Sequence, residues 1–338
     1  MKSQMRFGLV FFVLLLALLC CACSESDDDN SGGDADTGGG DSDLEQGSDG
    51  DTDADLEQTD TDAQNDGDME AEIEAQPESF KVAIISDTHL VLNEEDKSNL
   101  NFVAFGQMLE DMEEKPDFVI NTGDLVDDLF CFPDRTCEDP LDILTIYRSA
   151  IEENYSMPIY QVLGNHDNRY FDSWSGNDAP LASWDFVFGE TGMFPAPYYS
   201  IEHNGFLFVV LFAGEMATDH DSNDRPTFSE EQLGWLEDEL SKEMPTFLFW
   251  HHYIEPEQEM LKDNPSPLLD VIDRHSDTIL ATFGGHGHRF MHKVWQGVHF
   301  YETDALARRD PLVHHMLKCD PNTKSFEILN SSDIEYSR

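Results

Sequence analysis

From Phe80 onward, short unbroken apolar runs alternate with stretches whose apolar residues recur at helical spacing. Lys81 to Ser86 is an apolar run of buried-strand length that ends at Asp87. Asn99 to Glu113 then sets Phe102, Phe105, Met108, Leu109 and Met112 along one side of a predicted helix. Phe118 to Asn121 reads as a second strand, Leu141 to Ile151 as a second helix and Ile159 to Leu163 as a third strand. Tyr198 to Ile201 and Phe206 to Phe212, joined through His203, Asn204 and Gly205, form a predicted hairpin. Ser229 caps a helix running through Lys242, with Glu231 and Gln232 near the capping-box positions and Leu233, Trp235, Leu236 and Leu240 inward. Phe247 to Trp250 and Thr278 to Phe283 are further strands, and the last forty residues read as antiparallel strands. Strand alternating with helix predicts an α/β domain whose parallel or mixed sheet is covered by helices.

The first 79 residues follow neither rhythm. Lys2 and Arg6 precede an apolar run from Phe7 to Leu19, the length of a signal-peptide core and short of the roughly 20 residues that span a bilayer. The run ends in Cys20, Cys21, Ala22 and Cys23, which resembles the processing site of bacterial lipoproteins, with Cys23 behind Ala22 as the lipidated residue. That resemblance implies a membrane anchor through an N-terminal lipid and an extracytoplasmic location, on the periplasmic face or the cell surface. An uncleaved anchor gives the same side of the membrane. Residues 24–79 carry 22 acids and no Lys or Arg, so they read as an acidic tether that cannot bury enough surface to form a core. The expected organisation is a signal segment over 1–23, a tether over 24–79 and one domain over 80–338.

Charge narrows the partners. The whole chain has a formal net charge of −51, and residues 80–338 alone hold 48 acids against 17 Lys and Arg. A surface of that sign repels polyanions, so no nucleic-acid partner is expected, and nothing in the pattern points to an obligate protein partner. Cys131 and Cys137 stand in a Pro-containing loop and are either bridged or reduced, whereas Cys319 is expected as a buried thiol.

Five short sequences place carboxylates, amides or imidazoles directly after apolar strands. They are Asp87-Thr88-His89, Gly123-Asp124-Leu125-Val126-Asp127, Gly164-Asn165-His166-Asp167, His251-His252 and Gly285-His286-Gly287-His288. In an open α/β sheet the carboxyl ends of strands converge on one crevice, so these segments meet. Imidazole beside carboxylate suits transition metals better than Mg²⁺ alone.

In this order the motifs D-x-H, G-D-x-x-D, G-N-H-D, H-H and G-H-x-H resemble the calcineurin-like metallophosphoesterase superfamily, from about Lys81 to Arg289. The resemblance implies two packed mixed β-sheets flanked by helices, a four-layer sandwich. It implies two divalent or trivalent transition metal ions (Fe, Mn or Zn), one held by Asp87, His89, Asp124 and His288, the other by Asp124, Asn165, His251 and His286. His252 is the alternative to His251. Metal-bound hydroxide would attack a small-molecule phosphate ester, with His166 as proton donor and Asp167 orienting its ring. Asp127 and His252 would support the ligands, and Arg289, with His252, would meet the substrate. Leu163 stands where the Ser/Thr phosphatases carry Arg, and Asp127 where purple acid phosphatases carry a metal-bound Tyr, so the resemblance leans to phosphodiesterases. A phosphomonoesterase or nucleotidase is the alternative within enzymes, and an inert binding lipoprotein the alternative outside them. Phe130, Phe132, Tyr170, Phe171, Trp174 and Trp184 lie on the insertions expected beside the metals, and Arg169, just past the His166 motif, is placed like Arg289 to meet a phosphate or instead to pair with surface acids.

Overall fold

Strands that are apolar at every position need cover on both faces. In the computed structural model, which describes residues 77–127, 140–168, 195–214, 226–262 and 265–330, each such strand has it. The chain divides after Glu70 into two units, and every described residue belongs to the second. Its first half runs β1 (Phe80–Ile85), α1 (Lys97–Glu110), β2 (Phe118–Asn121), α2 (Pro140–Asn154), β3 (Ile159–Gln161), α3 (Asn165–Asn168), β4 (Tyr199–His203) and β5 (Phe206–Val210). The second half runs α4 (Glu230–Leu240), β6 (Thr246–His252), α5 (Pro256–Glu259), α6 (Pro267–Arg274), β7 (Ile279–Gly285), β8 (Met291–Trp295), β9 (Val298–Glu302), a 3₁₀ turn (Leu306–Arg308), β10 (His315–Asp320) and β11 (Ser325–Ile328).

Two mixed sheets result, ordered β11-β10-β1-β2-β3 and β4-β5-β6-β7-β9-β8. Because side chains alternate along a strand, each inner strand supplies two cores. Val82 and Ile84 meet Phe208, Phe247, Phe249 and Phe283 between the sheets. Ala83 and Ile85 face the other way, onto Phe102, Phe105 and Leu109 of α1 and Tyr147 of α2. On the far side, Leu207, Val209, Leu248 and Trp250 pack on Leu236 and Leu240 of α4 and on Leu268 and Ile272 of α6. The layers are therefore helix, sheet, sheet and helix, as the motif order implied.

Parallel pairing of β1 with β2 and β2 with β3, and of β5, β6, β7 and β9 in turn, decides where the chemistry falls. It brings the carboxyl ends of each sheet's parallel strands to one edge. The expected hairpin is β4 and β5, antiparallel around Asn204 (φ 46°) and Gly205 (φ 80°), the left-handed pair that a tight two-residue turn demands. Besides the one-turn helices α3 and α5 and the 3₁₀ turn, the helix α6 and the strand β8 have no counterpart among the elements expected from the sequence. The helix α6 begins at Ser266-Pro267 and buries Leu268, Leu269, Val271 and Ile272. The strands β8 and β9 pair antiparallel around Gln296-Gly297 and mix histidine with apolar residues, β8 at the sheet's edge and β9 inside it against β7. Cys319 is buried with a free thiol, and burial pushes it up to about 12. The signal segment with Cys23, the acidic tether, and Cys131 and Cys137 lie outside the described residues.

His315, on β10, is fully buried among Phe283, Phe290 and Tyr301, and burial pushes its pKa down to about 3. Below the unfolded value of about 6.5 the unfolded chain binds a proton that the folded chain refuses, so acid favours unfolding. Urea unfolding is expected to show a loss of about 2 kcal/mol between pH 6.5 and 5 from this residue, absent in His315→Leu. Equal slopes in both proteins would exclude it.

Candidate metal centre

Five polar residues at the converging strand ends adopt left-handed backbone: Asp87 (φ 51°), His89 (φ 44°), Asp124 (φ 51°), His286 (φ 73°) and His288 (φ 52°). Such conformations cost of order 1–3 kcal/mol each away from glycine, and they persist only where neighbours enforce them. Here the enforcement is a ladder between loops. Asp87 and His89 donate their N–H groups to the carbonyls of Gly123 (2.9 Å) and Asp124 (3.0 Å), and Leu90 donates to Leu125 (3.0 Å). The N–H of His286 donates to Asp87 Oδ2 at 3.0 Å. Thr88, between the first two ligands, turns away to donate its hydroxyl to the Leu125 carbonyl.

All seven expected ligands meet. His288 Nε2 lies 3.0 Å from Asp87 Oδ1 and 3.2 Å from His89 Nε2, which in turn is 3.8 Å from Asp124 Oδ2. On the other side, His251 Nε2 is 3.1 Å from both Asp124 Oδ2 and Asn165 Oδ1, and His286 Nδ1 is 2.9 Å from Asn165 Oδ1. Asp124 Oδ2 belongs to both sets.

These contacts suit ions better than hydrogen bonds. Donors sharing one ion at about 2.1 Å stand roughly 3.0 to 3.4 Å apart. Asp87 Oδ1 is buried and accepts no hydrogen bond among the described residues, although His288 is 3.0 Å away. The Nδ1 of His251 faces the Thr122 carbonyl at 2.9 Å, and donating its proton there aims a bare Nε2 lone pair at two oxygens. Either a proton on Nε2 or a cation between the donors makes that arrangement favourable. The electrostatics agree. Burial opposes ionisation of Asp87, yet the His288 and His89 rings hold it well below the carboxylate range. Burial likewise opposes charge on His251, and Asp124 overrides it, raising the imidazole to about 9. His89 rises to about 10 against burial, through Asp127 and then Asp87. The donor set of imidazole, carboxylate and amide therefore fits metal ions, its carboxylates and imidazoles gathering into the overlapping groups Asp87, His89 and His288, then His89, Asp124 and His166, and Asp124, His251 and His286.

The surrounding residues divide. Asp127 Oδ1 lies 3.3 Å from His89 Nδ1, where it orients that ring. His252 is 7% exposed and packs against the ring of His286 at 4.4 Å, next to one of the expected ligands. His166 stands at the rim, its Nε2 3.9 Å from Asp124 Oδ2, its N–H donating to Asp124 Oδ1, and its Nδ1 against the Asp127 carbonyl. Asp167 does not orient that ring. It is buried beneath the loop, accepting the N–H groups of Gly164 (2.8 Å), Leu125 (3.0 Å) and Val126 (3.3 Å), and burial raises it to about 6. A carboxylate is worth more against three backbone donors than against one imidazole. Arg289 is tied through Nε to Glu302 at 3.0 Å. The loop aromatics from Phe130 to Trp184, and Arg169, lie outside the described residues.

The family model described as calcineurin-like phosphoesterase matches residues 80–290. No curated protein matches the chain. Similar solved structures include a purple acid phosphatase from seeds of yellow lupin (Lupinus luteus), at 15% identity over 78% of this chain and 53% of that one, TM-score 0.49. A putative 5'-nucleotidase from Staphylococcus aureus is 13% identical over 74% of this chain and 53% of that one, TM-score 0.43. An archaeal phosphodiesterase is 14% identical over 73% and 97%, TM-score 0.34. This chain spans about half the length of the lupin enzyme.

Gly164 supplies the test of this geometry. A Cβ there would stand 2.2 Å from both the amide nitrogen and Oδ1 of Asp124. Gly164→Ala, though not a ligand, is expected to weaken Mn²⁺ binding at least tenfold by calorimetry while the far-UV spectrum stays folded. Unchanged affinity would show that Asp124 is not fixed as described.

Proposed function

This chain belongs to the calcineurin-like phosphoesterase family, and on that premise we propose that it is a two-cation-dependent hydrolase of small-molecule phosphodiesters, tethered by lipid outside the cytoplasm. The observation that carries the reading is the array of seven donors gathered around the Asp124 carboxylate, with the partly exposed imidazole of His166 at its rim. When bound, the cation pair supplies an activated water and neutralises phosphate oxygens.

The protein's own groups account for the rest. Asp124 and Asp87 are held ionised, and the neutral Asn165 completes the second set without adding another negative charge beside an anionic ester. Asp167 fixes the backbone that aims Asp124 and Asn165. His166 donates Nδ1–H to the Asp127 carbonyl, which presents Nε2 toward the shared carboxylate. In its protonated form that nitrogen delivers a proton to the departing alkoxide. The lipid anchor and extracytoplasmic site rest on the Phe7–Cys23 pattern, and the preference for diesters on Leu163 and Asp127.

General-acid assistance matters most for poor leaving groups. His166→Asn is therefore expected to lower kcat roughly 10²-fold or more on an alkyl phosphodiester, and far less on a p-nitrophenyl diester. Equal losses on both would remove the proton-donor role. Turnover of bis-p-nitrophenyl phosphate is expected to exceed that of p-nitrophenyl phosphate in the same metal, and the reverse order would make the protein a monoesterase.

A further inference from the structure

Outside the two ligand sets, two arginines flank one ligand in the same way. Arg289 follows His288 directly, and its Nε donates to Glu302 Oε2 at 3.0 Å. Arg309 pairs through its Nε with Asp304 Oδ2 at 2.8 Å, and its terminal nitrogen donates to the His288 carbonyl at 3.3 Å. Both carboxylates are sunk in the fold, with side-chain exposures of 1% for Glu302 and 9% for Asp304, whereas the arginine side chains are 52% and 50% exposed. Each guanidinium is thus gripped at its inner nitrogen with half of the side chain left in solvent, the fork geometry suited to oxyanions.

The support under Arg309 is built, not incidental. The turn that carries it is fastened to the first ligand loop, since Leu306 and Ala307 donate their N–H groups to the carbonyls of Ser86 (3.0 Å) and Asp87 (3.2 Å). From the other side, Asn101 of α1 donates its amide to the carbonyls of Leu306 (2.8 Å) and Arg309 (3.0 Å). Only 17 Lys and Arg stand against 48 acids in residues 80–338, so two guanidiniums beside one ligand are unusual for this domain, each paired with one carboxylate at its inner nitrogen. Arg309 meets His288 at its backbone carbonyl, the opposite end of that residue from the Nε2 that joins the donor set.

Resting on the phosphodiesterase reading, we infer that Arg289 and Arg309 form a subsite for a second anionic group of the substrate, a carboxylate or phosphate on one arm of the ester. Substrates of this site then carry negative charge beyond the bond that is cleaved.

The test uses a matched pair of p-nitrophenyl phosphodiesters, one whose other arm ends in a carboxylate and one with that carboxylate as its methyl ester. Wild-type enzyme is expected to favour the charged arm by about 10- to 100-fold in kcat/KM, carried by KM, the scale of a hydrogen bond to a charged group. In Arg309→Gln and Arg289→Gln that ratio is expected to fall toward one, and Arg309→Lys to restore part of it, changes that a merely structural loss would not produce because it would affect both esters alike. A wild-type ratio near one, or ratios in both glutamine variants equal to wild type, would overturn the inference. Absence of metal-dependent hydrolysis of either ester by wild type would instead remove the reading on which it rests.

Discussion

One carboxylate oxygen organises the centre of this protein. Asp124 Oδ2 lies 3.1 Å from His251 Nε2 and 3.8 Å from His89 Nε2, so imidazoles that arrive from opposite sheets are measured against a single atom. Its partner Oδ1 accepts the His166 N–H at 2.8 Å, which ties the third loop to the same side chain. The residue is 1% exposed, and a buried carboxylate among lone pairs is stable only if positive charge is supplied. Protons supply it at His89 and His251, and divalent cations answer the same demand with the directionality that the donor set already has.

The two sheets exist, from the site's standpoint, to bring five strand ends to that oxygen. Apolar strands covered on both faces fix the register of β1, β2 and β3 in one sheet and of β6 and β7 in the other. The register fixes where each loop starts. Left-handed backbone at Asp87, His89, His286 and His288 then turns alternate side chains to one side, a conformation held by hydrogen bonds between loops and not by local preference. Packing energy from the core is in this way converted into ligand position.

Most of this was legible in the sequence because each motif followed a strand whose apolar run was unmistakable. The pattern gives Phe118–Asn121 its observed bounds, and the seven side chains singled out by their order are ones the structure brings together. What escaped has physical reasons. The role of Asp167 depends on backbone N–H groups at Gly164, Leu125 and Val126, and no side-chain pattern announces a backbone donor. Arg309 and Asp304 sit in a turn nearly 20 residues beyond the last motif, and only the strap from Ser86 and Asp87 brings that turn back to His288. The helix α6 carried a start signal at Ser266-Pro267, but its eight residues gave too short a periodic window, and β8 mixed histidine into apolar positions.

The dependence of both ligand sets on Asp124 can be read directly from the number of metal ions retained per chain. Elemental analysis of purified protein is expected to give two ions for the wild type and close to one for His288→Ala or His251→Ala, each of which damages a single set. For Asp124→Ala it is expected to give close to none. Retention of one or two ions by Asp124→Ala would contradict the shared-carboxylate account.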